Sequence, residues 1–531
     1  FSGVDIFPEN IVINLSNLNP AFKEVKQLFD DATLKDESRY SEYFSVAEDY
    51  LKDQQPVSDG RSIIELMRLP MQKHPDSLYD QLGFIKSNFS DLLGDFVFEI
   101  SESMDALKEE ITLRDGSPGI PEVYEFYDEP EYENFTEDKD WMSTLTLLAK
   151  SVYVWLAQLS QKYNTEITSL DQIPDEELKN IARRGFRGIW LIGIWERSDV
   201  SRNFKRIKGN YDALSSAYSL KKYEVAEDLG GKSAMHNLKV RAGKYGVKIA
   251  CDMVPNHTAV DSDWIADHPD WFVQTDDPPY PSYTFHSQNL SQRDDVQVYL
   301  EDKYYDETDA AVVFKAVSRK DGKTRYIYHG NDGTSIPWSD TAQLNYLLPE
   351  VREEVINLII NIAKEFPVIR FDAAMTLAKK HFQRLWYPEP GNAGAIPSRH
   401  LYTMSKAEFN KVFPAEFWRE VVDRCAVEAP DTLLLAEAFW MMEGYFVRTL
   451  GMHRVYNSAF MNMLKREENS KYRESIKNII DFNPEILKRF VNFMSNPDEE
   501  TAIGQFGTDD KYFGVCVLMV TMPGLPMFAH G

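Results

Sequence analysis

Four stretches of this sequence set charged or hydrogen-bonding side chains behind largely apolar runs: Asp252-Met-Val-Pro-Asn-His257, Val368-Ile-Arg-Phe-Asp372, Leu433-Leu-Leu-Ala-Glu437 and Asn496-Pro-Asp498. In a strand, positions two apart share a face, so Arg370 and Asp372 point the same way. A guanidinium beside a carboxylate favours the ionised form, and an ionised, oriented carboxylate can act as a nucleophile. The same pair serves as well as a structural ion pair closing a buried strand, and that stretch alone favours the structural reading. Glu437 follows four apolar residues, where partial desolvation raises a carboxyl pKa. One protonated and one ionised carboxyl facing a common space are what glycosidic bond cleavage uses.

The elements that must position these groups begin near residue 146, where strands and helices start to alternate. Strands are predicted at 151–156, 186–194, 247–254, 367–371, 432–436, 454–457, 492–495 and 525–529. Helices are predicted at 175–184, 229–245, 349–365, 414–428, 484–491 and 511–521. Residues 257–345, rich in Pro, Asp, Tyr and Gly, are too long for an ordinary loop and read as an inserted domain. Eight strands coupled to helices describe an α/β fold, a (β/α)8 TIM barrel, with chemistry at the carboxyl ends of the strands. The three carboxylates Asp372, Glu437 and Asp498 then converge on one mouth. Residues 1–145 lack this alternation. Helices are expected there at 21–29, 62–71, 77–93 and 98–111, then a turn at 116–121 and an acidic, aromatic linker over 122–140. The expected organisation is therefore 1–145, a mainly helical region; 146–256, the first part of the barrel; 257–345, the insertion; and 346–531, the rest of the barrel, truncated after strand eight.

Composition narrows the partners. The 531 residues are 43% apolar and 27% charged, with a formal net charge of −26. Such an acidic chain is a poor partner for nucleic acid or an anionic membrane and suits a neutral substrate. The charge is concentrated: residues 91–140 hold seventeen acidic side chains against three basic ones. Cys251, Cys425 and Cys516 are isolated, without metal spacing, so no disulfide framework is implied and a reducing, cytoplasmic location is expected. The first residues do not read as a signal peptide, which adds to that expectation. Aromatic residues make up 13%; flat rings such as Trp264, Trp271, Phe272 and Tyr283 suit stacking on sugars and suit a small-domain core equally.

Taken in order, the four motifs resemble those of the α-amylase superfamily of retaining glycoside hydrolases, over about residues 146 to 531. Secondary likenesses are Gly188-Ile-Trp-Leu191 as strand two, and Leu344-Asn345 with Pro349-Glu-Val-Arg352 as the exit from the insertion. The resemblance implies Asp372 as nucleophile, Glu437 as acid/base and Asp498 as the residue gripping the distorted sugar. It implies a substrate-binding set of Arg370, which orients Asp372, His257, Tyr218, which stacks on the sugar, and Asp252, which supports its strand end. It requires no cofactor and admits a structural calcium ion with Asn256 as a ligand.

Several family positions differ. Pro497 stands where a histidine is usual, Ser219 replaces the Asp of a Gly-Tyr-Asp motif, and Met375 and Thr376 replace Lys-His. His286, His381 or His400 are candidates to compensate. The expected function is a retaining hydrolase of α-glucosidic bonds in α-glucans or maltooligosaccharides. A branching or glucosyl-transferring transglycosylase, and a catalytically weak glucan-binding protein, stay open beside it. Nothing in the sequence sets an oligomeric state.

Overall fold

Strands β1 (Leu147–Ser151), β2 (Gly188–Ile192), β3 (Lys248–Met253), β4 (Val368–Phe371), β5 (Leu433–Ala436), β6 (Arg454–Tyr456), β7 (Phe490–Phe493) and β8 (Leu525–Phe528) close a barrel. Every pair is parallel, and β1 joins β8 to complete the ring. This is the (β/α)8 barrel expected from the alternation of elements. The computed structural model describes residues 3–529 apart from 55, 58, 59, 95, 98, 102, 106, 108–132, 212, 307, 335, 440, 441 and 498, with backbone alone for 3–9, 24 and 91.

Side chains alternate across a strand, and here the alternation builds the core. Leu147 and Ala149, Trp190 and Ile192, Leu433 and Leu435, Val491 and Phe493, and Leu525 and Met527 all join one buried cluster, with Ala250, Val368 and Tyr456. The chemistry-bearing residues continue the same rows toward the strand ends: Ala250 leads to Asp252, Val368 to Arg370 and Asp372, and Leu433 and Leu435 to Glu437. The backbone ladder also runs past the named strands. Asp372 N–H donates to Met253 O at 2.9 Å and Glu437 N–H donates to Phe371 O at 3.1 Å.

Two strands differ from their expected places. The predicted 151–156 opens the helix Val152–Tyr163, and the strand lies just before it. The reason is spacing: Val152, Trp155, Leu156 and Leu159 are buried three and four apart, a helical face read as an apolar run. At β7 the preceding helix stops at Arg489, not 491. Val491 and Asn492 pair with Leu525 and Pro526, so the strand starts two residues before the expected 492. Helices such as Asp199–Ile207, Lys379–Trp386 and Asn469–Phe482 add to those predicted.

Between β3 and β4, His257–Ala259 pairs antiparallel with Thr341–Gln343, bringing the two ends of the insertion together. Inside it, Gln274–Thr275, Thr324–Tyr328, Val313–Ser318 and Val296–Tyr299 form a four-stranded antiparallel sheet. The segment Leu220–Val225 and Trp195–Arg197 make a separate antiparallel pair after β2.

Residues Phe1–Ser117 and Tyr387–Ser405 form one compact unit, and Pro118–Trp386 with Lys406–Gly531 a second. The first is helical, as expected: Gly3–Leu18, Ala32–Glu37, Tyr40–Lys52, Ile63–Lys73 and Leu78–Leu93, with a 3-10 segment at Pro20–Phe29. Tyr40–Lys52 escapes pattern reading because it buries only Tyr40 and Ala47. Ser62 and Glu65 form a capping box at the next helix, fixing its start. Gly391 of the Pro388-Glu-Pro-Gly391 loop donates to Asp105 Oδ2 at 2.8 Å within this unit. The expected helix 98–111 lies partly, the turn 116–121 wholly and the linker 122–140 largely outside the described residues.

Candidate active site

One guanidinium organises the carboxyl ends of β3, β4 and β5. Arg370 Nη1 donates to Asp252 Oδ1 at 3.1 Å and to Asp372 Oδ1 at 2.5 Å, and Nη2 lies 2.8 Å from Glu437 Oε1. Arg370 is 1% exposed, and the rings of Trp190, Tyr218 and Tyr456 lie 5.1, 5.3 and 5.7 Å from its Cζ. Three anions against one cation is an unbalanced cluster, and taking it out of water is costly. Burial therefore pushes Asp252 up to about 7, with Arg370 pulling it down and Asp372 pushing it up further. Burial also raises Asp372, against the downward pull of Arg370. The Arg370–Asp372 pair expected from the sequence is present, but among the described residues the guanidinium also reaches Asp252 and Glu437, and burial leaves Asp372 raised from the ordinary carboxylate value.

Glu437 has a second anchor. Its Oε2 accepts from Ala373 N–H at 2.8 Å. Ala373 takes φ +44°, a left-handed conformation that costs a non-glycine residue about 1–3 kcal/mol. The turn that follows Asp372 thus aims a backbone donor at the carboxylate of the next strand. Trp418 Nε1 donates to Ala374 O at 2.7 Å and holds the same turn from outside.

The motif after β3 is used differently from its neighbours. His257 Nε2 donates to Tyr218 O at 3.2 Å, and its Nδ1 accepts from Asn256 Nδ2 at 3.3 Å. Burial holds the ring neutral, with its pKa down at about 4. Its ring reaches the Tyr218 carbonyl and lies against Trp338, ring centroids 5.1 Å apart. Asn256 exchanges hydrogen bonds with Gln343: Nδ2 to Oε1 at 3.1 Å, and Gln343 Nε2 to Oδ1 at 3.0 Å. Calcium takes six to eight oxygens. Asn256 Oδ1, the oxygen that the resemblance assigns to such an ion, accepts one hydrogen bond from Gln343 Nε2, and among the described residues no group of three or more His, Cys, Asp or Glu is placed to hold a metal.

Asp252 is 2% exposed, with one oxygen on Arg370 and the other accepting from Trp190 Nε1 at 3.0 Å. Asp498 lies outside the described residues; Pro497 before it is exposed. Ser219 is buried and donates to Asp340 O at 2.7 Å, so its hydroxyl ties the insertion to the barrel. Met375 and Thr376 are buried, and Thr376 Oγ1 donates to Ala373 O at 2.7 Å. Of the compensating histidines, His286 is exposed and pairs with Asp302 at 3.1 Å, His381 is buried with its pKa pushed down to about 3 by burial, and His400 belongs to the helical unit. In the insertion, Trp264 packs edge-on to Trp271 at 5.2 Å, Phe272 is buried, and the Tyr283 hydroxyl accepts from Val312 N–H at 3.3 Å.

Three participants were not singled out for the site from the sequence: Trp190, Tyr456 and the Ala373 N–H. The first two carried a signal, since each follows the inward parity of its strand. The third is a backbone group in an unusual conformation, and no residue type announces it.

The description "Alpha amylase, catalytic domain" matches residues 164–531. Maltase A1 of Drosophila melanogaster is 25% identical over 380 residues, covering 67% of this chain and 60% of that protein; the chain thus spans 60% of that relative's length. Among solved structures, an α-amylase from Lactobacillus plantarum is 16% identical, covering 73% of this chain and 72% of its own, at a TM-score of 0.42. A debranching enzyme from Nostoc punctiforme is 15% identical, covering 74% and 75%, at a TM-score of 0.46.

Proposed function

Because the chain belongs to the α-amylase catalytic-domain family, we propose that it is a retaining hydrolase of α-glucosidic bonds in α-glucans or maltooligosaccharides. The observation that carries the reading is the single guanidinium joining Asp372 and Glu437 at the carboxyl ends of neighbouring strands. Glu437, protonated, gives its proton to the glycosidic oxygen as the bond breaks. Asp372 attacks the anomeric carbon from the opposite face and forms a β-glycosyl ester. Glu437, now ionised, takes a proton from water, which attacks the same carbon and frees Asp372; two inversions give net retention. Arg370 supports both steps, because it reaches each carboxylate and favours whichever is ionised. Asp498 is the proposed partner of the ring hydroxyls in the flattened transition state. Tyr218, half-buried over Arg370, offers a ring face to the sugar. His257, with both nitrogens engaged by the protein, supports Tyr218 from behind its backbone. No step passes through a metal or cofactor. The expected cytoplasmic location rests on the isolated thiols, of which Cys251 and Cys425 are buried.

A second reading has its own support. Glu437 is held by two donors, Arg370 and Ala373 N–H, and both favour a carboxylate over the acid that the first step needs. A glucan-binding protein of weak activity would look the same. Proton NMR on a maltooligosaccharide separates the readings. Rapid appearance of the α-anomer before mutarotation supports the retaining hydrolase. Release of the β-anomer rules it out, and tight binding without products favours the binding protein.

A further inference from the structure

The catalytic pair depends on a guanidinium that three carboxylates contest, so something must stop any one of them from taking all of it. Carboxylates and guanidinium groups favour a two-pronged grip, each oxygen on its own nitrogen. Asp252 is well placed for that grip: it stands opposite Arg370 in the β3–β4 ladder, and both are buried. Yet it accepts from Arg370 through Oδ1 alone, at 3.1 Å. Its other oxygen is occupied by the indole N–H of Trp190, at 3.0 Å. Trp190 lies on β2 opposite Ala250, two residues before Asp252, and is 1% exposed. Its ring also faces the guanidinium, 5.1 Å from Cζ.

We propose that Trp190 is a positioning residue for the catalytic pair. By occupying Asp252 Oδ2 it keeps Asp252 on one prong and leaves Arg370 free to hold Asp372 and Glu437 together. This rests on the assignment of those two residues above. The Asp252 backbone is fixed separately, since Trp195 Nε1 donates to Asp252 O at 2.8 Å. Losing the Trp190 N–H therefore releases the carboxylate without releasing the strand.

The experiment removes the donor and keeps the ring. Trp190→Phe is compared with 3-benzothienylalanine at the same position, which preserves the shape of indole without its N–H and guards against a folding failure in the Phe variant. A buried acceptor left unpartnered and free to rearrange should lower kcat about tenfold with KM little changed. In an Asp252→Asn background the same change should have no further effect, because Trp190 acts through that carboxylate. Wild-type kcat in the benzothienyl variant, or a loss of equal size in both backgrounds, overturns the proposal. A crystal structure of the variant gives a readout independent of turnover. Asp252 bound to two guanidinium nitrogens, with Arg370 withdrawn from Asp372 or Glu437, is the expected result; an Arg370 that keeps both contacts contradicts it. If the wild-type protein hydrolyses no α-glucoside, the hydrolase reading fails, and that crystal structure still decides the role of Trp190.

Discussion

The two rims of the barrel carry ion clusters of opposite balance. At the carboxyl ends of β3 to β5, one cation, Arg370, serves three anions. At the amino ends of β6 and β7, one anion serves two cations: Asp138 accepts from Arg454 at 3.0 and 2.6 Å and from Arg489 at 2.6 Å. Burial would raise Asp138, but the two arginines outweigh it and hold it below the usual carboxylate range. The same burial lifts Asp252 and Asp372, because their shares of Arg370 do not compensate. A cation-rich cluster locks its carboxylate ionised and acts as a clasp. A cation-poor cluster leaves protons mobile, which acid–base chemistry requires. The division matches the general partition of such barrels, with stability at the amino rim and reaction at the carboxyl rim.

Substitutions can break this comparison on either side. Asp372→Asn should reduce kcat by about 10⁴-fold or more while leaving the melting temperature unchanged or higher, since it removes one of three competing charges; initial rates and thermal melts check both. Arg370→Met strips the anions of their counter-ion and should cost about 3–5 kcal/mol of stability, read by urea unfolding. Asp138→Asn leaves Arg454 and Arg489 without their carboxylate. It should cost about 2 kcal/mol, less than breaking a fully buried pair because the Asp138 side chain is 24% exposed and solvent screens it, and kcat should hardly move. A drop in kcat matching that of Asp372→Asn would erase the distinction between the rims.

The smallest effect sharpens the comparison through pH. Asp252 has a raised folded pKa, so its contribution to stability is present below about pH 4 and is lost as pH rises through about 7. Asp138 has a lowered one, so its contribution is present above about pH 4 and is lost on acidification. Asp252→Asn should therefore flatten the decline between pH 4 and 7, by about 1–2 kcal/mol once its neighbours share the proton. Asp138→Asn should flatten the acid limb. Unfolding free energies measured across pH 3 to 8 test the opposite slopes.

Much of this arrangement was legible in residue order. Parity along strands places Arg370 and Asp372 on one face, and the helix Pro349–Glu365 appears at its expected bounds. What escaped has physical causes. A buried helical face at Val152–Leu159 mimics a strand when apolar residues are counted without their spacing. The β7 boundary depends on pairing with β8, a contact between segments far apart in sequence. The sharing of Arg370 among three carboxylates arises from inter-strand register, so the local motif shows a simple pair where the fold builds a contested cluster. The Ala373 donor depends on a backbone angle that alanine does not advertise.

The central claim is that Asp372 becomes covalently glycosylated during turnover. Glu437→Gln, incubated with α-glucosyl fluoride, whose leaving group needs no acid, slows release of the sugar more than its capture. Peptide mass spectrometry should then find one hexose on the peptide containing Asp372, and none in the Asp372→Asn variant. Turnover of the fluoride with no adduct, or a hexose on another residue, would contradict the account.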